Sequence, residues 1–167
     1  IPLRLVGSEM CIRDSVTEGL RANGLTAQIP GDRDDLGRLE VGDDLKVAGM
    51  EDVYATGDVA HARVDDAGNY ALMSCQHART MGKYAGLNVV RDLTGAAPQP
   101  YRQADYTTCL DLGNFGAVFT TGWDREVPTT GAVAKERKTM INTQWIYPPT
   151  GTAEEVFAAL RIDARGR

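Results

Sequence analysis

Residues 71–93 read ALMSCQHARTMGKYAGLNVVRDL, and this stretch constrains the fold more than any other. Leu72, Cys75, Ala78, Met81, Gly82, Ala85, Val89 and Leu93 recur at threes and fours, which is the period of one face of an α-helix. Gly95, Pro98 and Pro100 follow as stop signals. The small residues Ala78, Gly82, Ala85 and Gly86 would let another backbone come close. A helix this long needs material to pack against, and short apolar runs lie on both sides of it. Upstream, residues 39–41 and 45–47 are strand candidates joined across Gly42, Asp43 and Asp44, a tight-turn composition. Residues 53–55 form a third candidate strand, ended by Gly57. Residues 15–37 carry the turn dipeptides Asn23-Gly24 and Pro30-Gly31 and read as loop, with one short strand at most.

Downstream the character changes. YTTCLDLG and NFGAVFTTG are β-rich and meet at Gly113-Asn114, which predicts a hairpin. Residues 123–127 add a third strand. Thr129 and Thr130 are placed to cap a helix over 131–146, with Val133, Met140, Ile141 and Trp145 on one face and Lys135, Glu136 and Lys138 elsewhere. Tyr147-Pro148-Pro149 breaks it, and 154–160 is a short final helix. The expected organisation is an α/β region over 15–97 and a small α+β unit over 98–167.

Composition excludes several function classes. Net charge is −5 and pI about 5.0, the wrong sign for a nucleic-acid partner. Apolar runs are only a few residues long, so no segment is expected to span a bilayer. Cys11, Cys75 and Cys109 show no CxxC spacing and are odd in number, which argues against a disulfide framework or a structural zinc site. His61 and His77 are too few for a histidine-based metal centre. The acid-rich GDRDD and VDDAG read as solvated loops. Cys75 reads as a small buried residue, His77 as a structural histidine and Cys109 as a strand core residue.

Among the polar positions, EDVYATGDVAHA stands out. A Gly at the end of an apolar strand lets a ligand approach the main chain. The Asp beside it accepts hydrogen bonds from hydroxyl groups. A helix that follows offers N–H groups and a positive dipole end. The combination suits a nucleotide-like ligand with ribose or ribityl hydroxyls, although Gly-Asp alone also marks an ordinary turn.

The wider string adds to this. LTAQIPGDRDDLGRLEV, VYATGDVA, MSCQHARTMGKYAGLNV, PYRQADYTTCLDLGNFGAVFTTGWDR and INTQWIYPP occur in order from about residue 21 to 149. Together they resemble the C-terminal part of type II NADH dehydrogenases (NADH:quinone oxidoreductases), within the pyridine nucleotide-disulfide oxidoreductase superfamily. The resemblance implies the tail of a Rossmann-like FAD-binding domain followed by a small α+β C-terminal domain. It implies FAD as cofactor, with Asp58 on the ribityl hydroxyls, Gly57 giving close approach, and Val59 offering its N–H near the phosphates. Ser74, Cys75 and Gln76 would start the helix that faces the flavin ring. That helix start would stabilise the negative charge of reduced flavin. The implied reaction passes a hydride from NAD(P)H to FAD and electrons on to an acceptor such as a quinone. No side chain is assigned a nucleophilic or acid–base role. A homodimer and a peripheral contact with the inner face of the cytoplasmic membrane also follow from the resemblance.

The match has departures. The quinone-reducing members carry Gln-Gln before Gly-Lys-Tyr, where this chain has Thr80-Met81 before Gly82, Lys83 and Tyr84. EEVFAALRI is short and begins acidic, unlike a basic interfacial helix. No GxGxxG occurs, so the FAD phosphate loop and the NAD(P)H domain are expected upstream of these residues. Residues 1–14 include LVGSEMCIRD, which resembles a translated adaptor, and are read as a non-native leader. The chain alone is therefore expected to be inactive. Two alternative classes stay open: a soluble ferredoxin-reductase-like flavoprotein, and a non-catalytic dimerisation or docking fragment.

Overall fold

The computed structural model describes Ala22 and residues 26–162. The expected leader, and residues 15–21 and 23–25 of the loop after it, lie outside the described residues. Two compact units are present. One contains the described residues between 22 and 104 together with 151–162, and the other runs from Asp105 to Thr150.

In the first unit, strand β1 (Leu39–Glu40) pairs in parallel with β2 (Ala60–His61), with Leu39 opposite Ala60 and Glu40 opposite His61. The turn at Gly42 forms as its composition predicts: Leu45 N–H donates to Gly42 O at 2.9 Å and Gly42 N–H to Lys46 O at 2.9 Å. Residues 45–47 are then linked to 53–55 by Val47 N–H to Val53 O (2.8 Å) and Ala55 N–H to Leu45 O (3.1 Å). This ladder is a single bridge, Lys46 to Tyr54, and not the expected strand. The regular pairing resumes only beyond Gly57 and Asp58. The Gly-Asp pair therefore sits between a bridge and a strand, in a 3₁₀ turn over Gly57–Val59, and does not terminate a strand.

Helix α1 (Cys75–Leu93) follows. Its buried residues are His77, Thr80, Met81, Tyr84, Ala85 and Asn88. This face is rotated from the expected one, since Val89 and Leu93 are exposed. The reason is polar. Asn88 is fully buried because its amide donates to Asp44 O (3.0 Å) and Gln99 O (2.9 Å) and accepts from Gln99 N–H (2.8 Å). A satisfied buried amide costs little and fixes the chain that returns after Gly95. The core of this unit includes Leu39, Leu45, Val47, Ala60, Val64, Met81, Tyr84 and Tyr101. Tyr84 and Tyr101 meet edge to face with centroids 5.4 Å apart, a favoured aromatic geometry. The final helix, α3 (Ala153–Leu160), belongs to this unit and carries a full capping box between Thr152 and Glu155.

The second unit is a three-stranded antiparallel sheet in the order β3 (Thr107–Asp111), β4 (Ala117–Thr121), β5 (Glu126–Thr130). The hairpin turns at Gly113–Phe115, as its Gly-Asn predicts. β5 starts three residues later than the expected 123–127. It leads directly into α2 (Gly131–Met140), which ends in a π-helical turn, Ile141–Trp145. The expected α2 face is corrected. Val133 is 65% exposed, whereas Ala134 is fully buried and Lys138 is 3% exposed. Ala134, Lys138 and Ile141 share one face at spacings of four and three, and the small Ala134 lets the helix settle onto Cys109, Ala117 and Phe119. Arg137 lies 4.0 Å over the Phe119 ring.

Candidate functional site

The site is built wholly from the first unit. Thr56 is extended (φ −143°, ψ 162°), and Gly57 then turns the chain at φ +70°, a conformation L side chains avoid. The bare Cα of Gly57 faces helix α1. A Cβ placed there would lie 3.4 Å from the Ala78 Cβ. That is ordinary contact, so the positive φ, and not close packing, calls for glycine where the Gly57–Val59 turn sits against the first turn of α1. The structure thus brings Gly57, Asp58 and Val59 together with the helix start at Ser74, Cys75 and Gln76.

Ser74 occupies the N-cap position of α1 in an extended conformation. Its hydroxyl does not cap the helix; it bonds the Nδ1 of His77 at 2.8 Å. His77 is fully buried, and burial, helped by the nearby Arg38 charge, pushes its imidazole down to about 4. It is therefore neutral at pH 7, in keeping with a structural histidine. Cys75 is half-buried and Cys109 fully buried. The Gln76 carbonyl accepts from the Thr80 hydroxyl (3.1 Å) and the Gln103 amide (3.3 Å).

Asp58 differs from its neighbours. It is exposed by surface area, yet the protein crowded around its carboxyl raises the carboxyl's pKa, with the Arg38 guanidinium opposing the shift. Its carboxylate makes no hydrogen bond or ion pair among the described residues. Exposed and without a protein donor, the carboxylate is open to hydrogen-bond donors from outside the chain.

Arg38 was not visible from the sequence as a buried, ion-paired residue. It is 7% exposed. Its Nε donates to Asp34 Oδ2 at 2.7 Å and its Nη1 to Ala71 O at 2.6 Å. Burial pushes the Asp34 carboxyl up, but hydrogen bonds from Arg38 outweigh this and hold it below the usual range. The one sequence signal was the four-residue spacing of Asp34 and Arg38.

A groove of about 770 Å³ runs along the face of α1 that carries Ala78, Gly82 and Gly86. Phe157 and Leu160 of α3 form its far wall. Lys83 Nζ donates to Ala159 O across it at 3.4 Å. Thr80 and Met81, the departure noted in the sequence, are buried and do not line it. Among the described residues, no cluster of His, Cys, Asp and Glu could hold a metal ion. No helix among them is long and apolar enough to cross a membrane.

The described residues form a mixed α/β structure in which a Gly-Asp turn lies against a helix. No family model matches the chain. Two NADH dehydrogenase-like proteins, from two strains of Mycobacterium tuberculosis, are each 51% identical to it over 142 residues. That covers 84% of this chain and 35% of theirs. The chain spans about a third of the length of the curated relatives it matches, and it is similar to a piece of an NADH dehydrogenase-like protein.

Proposed function

We propose that this chain is a C-terminal piece of an FAD-dependent, NADH dehydrogenase-like oxidoreductase. In this reading the Gly57–Val59 turn and the Ser74, Cys75 and Gln76 helix start hold the flavin end of FAD. The observation that carries it is the Asp58 carboxylate, partly desolvated and without a protein donor, on a glycine turn seated against a helix N-terminus. The residues suit FAD. Gly57 offers main chain with no side chain in the way, Asp58 accepts from hydroxyls, and the dipole end of α1 favours negative charge beside it.

When bound, FAD would supply the redox chemistry, accepting a hydride from NAD(P)H and releasing electrons to an acceptor. The chain's own residues bind and orient it. Asp58 fixes the ribityl portion, Val59 lends its N–H towards the phosphates, and the first turn of α1 faces the ring. A fixed dipole at that edge lowers the cost of charge developing there. The apolar groove beside Ala78 and Gly82 suits a flat, apolar acceptor such as a quinone. NAD(P)H binding is assigned to residues outside this chain. A homodimer and a peripheral membrane contact belong to the same reading.

The test is to purify the full-length protein and read its flavin spectrum and its NADH oxidation. This reading expects FAD released on denaturation, and turnover faster with short-chain quinones than with one-electron carriers. The 167-residue chain alone is expected to do neither. A full-length protein that binds no flavin would refute the reading, and a preference for one-electron carriers would favour a ferredoxin-reductase-like protein.

A further inference from the structure

We propose that the groove between helices α1 and α3 binds a single-chain amphiphile with an anionic head, a long-chain carboxylate of the fatty-acid kind. The inference rests on the shape and charge of the groove and not on the FAD reading given above.

Gly82 and Gly86 stand in the middle of α1. Glycine inside a helix destabilises it relative to alanine, so each needs a compensating reason. Neither residue has a positive φ. Nor does anything crowd them, since a Cβ built on Gly82 or on Gly86 would meet no atom within 4 Å. The small face of α1 therefore has no backbone against it among the described residues. It opens instead on the groove of about 770 Å³, a volume of ligand size. The far wall is just as open. α3 has no buried residue, and Phe157 is 69% exposed and Leu160 40% exposed. Two apolar helix faces thus line one gap that the described chain does not fill. From Ala78 to Leu87 the helix advances about 13 Å, the reach of a dodecanoate chain.

The rim selects the head group. Arg79 and Lys83, one turn apart on α1, line the groove together with Arg161 at the C-cap of α3. No acidic residue among the described ones lines it. Glu154 and Glu155 lie in the first turn of α3, and Glu155 is engaged by Thr152. Lys83 Nζ donates to Ala159 O at 3.4 Å, and an ammonium carries three donors. Three cations around an apolar floor run against the net charge of −5 of the whole chain. A neutral ring such as a quinone would use the floor alone. A carboxylate on an apolar chain uses the floor and the rim together.

Titration calorimetry on the full-length protein tests this. The probe is dodecanoate below its micelle concentration, with dodecanol and a short-chain quinone as neutral comparisons. Dodecanoate is expected to saturate one site per chain and to bind about 10-fold tighter than dodecanol. Added salt should erode that advantage. Lys83→Ala combined with Arg161→Ala should weaken dodecanoate about 5-fold and leave dodecanol unchanged. Gly86→Leu, which fills the floor, should abolish dodecanoate binding while the thermal midpoint of the ligand-free protein holds or rises, because leucine is the better helix former. A glycine kept only for the fold would show the reverse, a lowered midpoint. The proposal is overturned by dodecanol or the quinone binding as tightly as dodecanoate, by dodecanoate binding that Gly86→Leu leaves intact, or by no saturable dodecanoate binding. If Gly86→Leu does not fold, the Lys83 and Arg161 variants carry the same test. Dodecanoate binding in a protein that takes up no flavin would refute the FAD reading alone.

Discussion

Asp58→Asn separates binding from stability, because the two effects have opposite signs. Take the ligand-free protein first. The carboxyl of Asp58 is raised from its ordinary value of 3.8, with burial as the leading cause. A group raised on folding gives its full stabilisation below the unfolded pKa and loses it as pH rises through the folded pKa. At pH 7 the ionised Asp58 therefore works against the fold, and asparagine relieves this. The thermal midpoint of the ligand-free protein should rise at pH 7, and the gain should shrink to nothing as pH falls below about 3.8. Ligand binding moves the other way. Hydrogen bonds to a charged acceptor contribute about 1.5–3 kcal/mol, roughly twice a neutral one. The asparagine carbonyl still accepts, so the loss is about 1–2 kcal/mol, or about 5- to 30-fold in affinity. Scanning calorimetry with and without FAD reads both. A fall in the FAD-free midpoint, or unchanged FAD affinity, would refute the reasoning.

Other predictions are simpler. His77 is depressed from 6.5 to about 4, so its stabilisation is complete above pH 6.5 and is lost as pH falls to 4. Protonating it costs about 3 kcal/mol across that window. Denaturant titrations from pH 7 to 4 should show the decline, and His77→Gln should flatten it. Gly116 has φ +92°, and a Cβ there would fall 2.6 Å from the Gly131 backbone. Gly116→Ala should therefore lower the stability of the β3–β5 unit by about 3 kcal/mol or more, read as loss of amide protection in that unit alone. Thr152→Ala removes the capping box of α3 and should cost that helix about 1 kcal/mol, seen as faster exchange of its amides with little change elsewhere.

Much of the architecture was legible because its signals are local. The helix ending before Gly95, the turn at Gly42 and the hairpin at Gly113 each follow from a few neighbouring residues. What failed depended on distant partners. Residues 53–55 looked like a strand, but their pairing is a single bridge, and the regular ladder joins Leu39–Glu40 to Ala60–His61 across some twenty residues. The buried face of α1 was misjudged because Asn88 and His77 are polar by type and buried by partnership. Val133 looked like core and Ala134 did not, because close approach to β4 rewards a small residue over a large one. The turn at Gly57–Val59 was legible from its Gly-Asp pair. Arg38 was missed, since its bond to Ala71 O spans 33 positions.

The central claim is that the Gly57–Val59 turn and the start of α1 together receive FAD. Hydrogen–deuterium exchange on the full-length protein, with and without saturating FAD, tests it most directly. The account predicts slowed exchange at Val59 and at Cys75 and Gln76, and little change in β3, β4 and β5. Stoichiometric FAD binding that leaves both of those segments unprotected would contradict it.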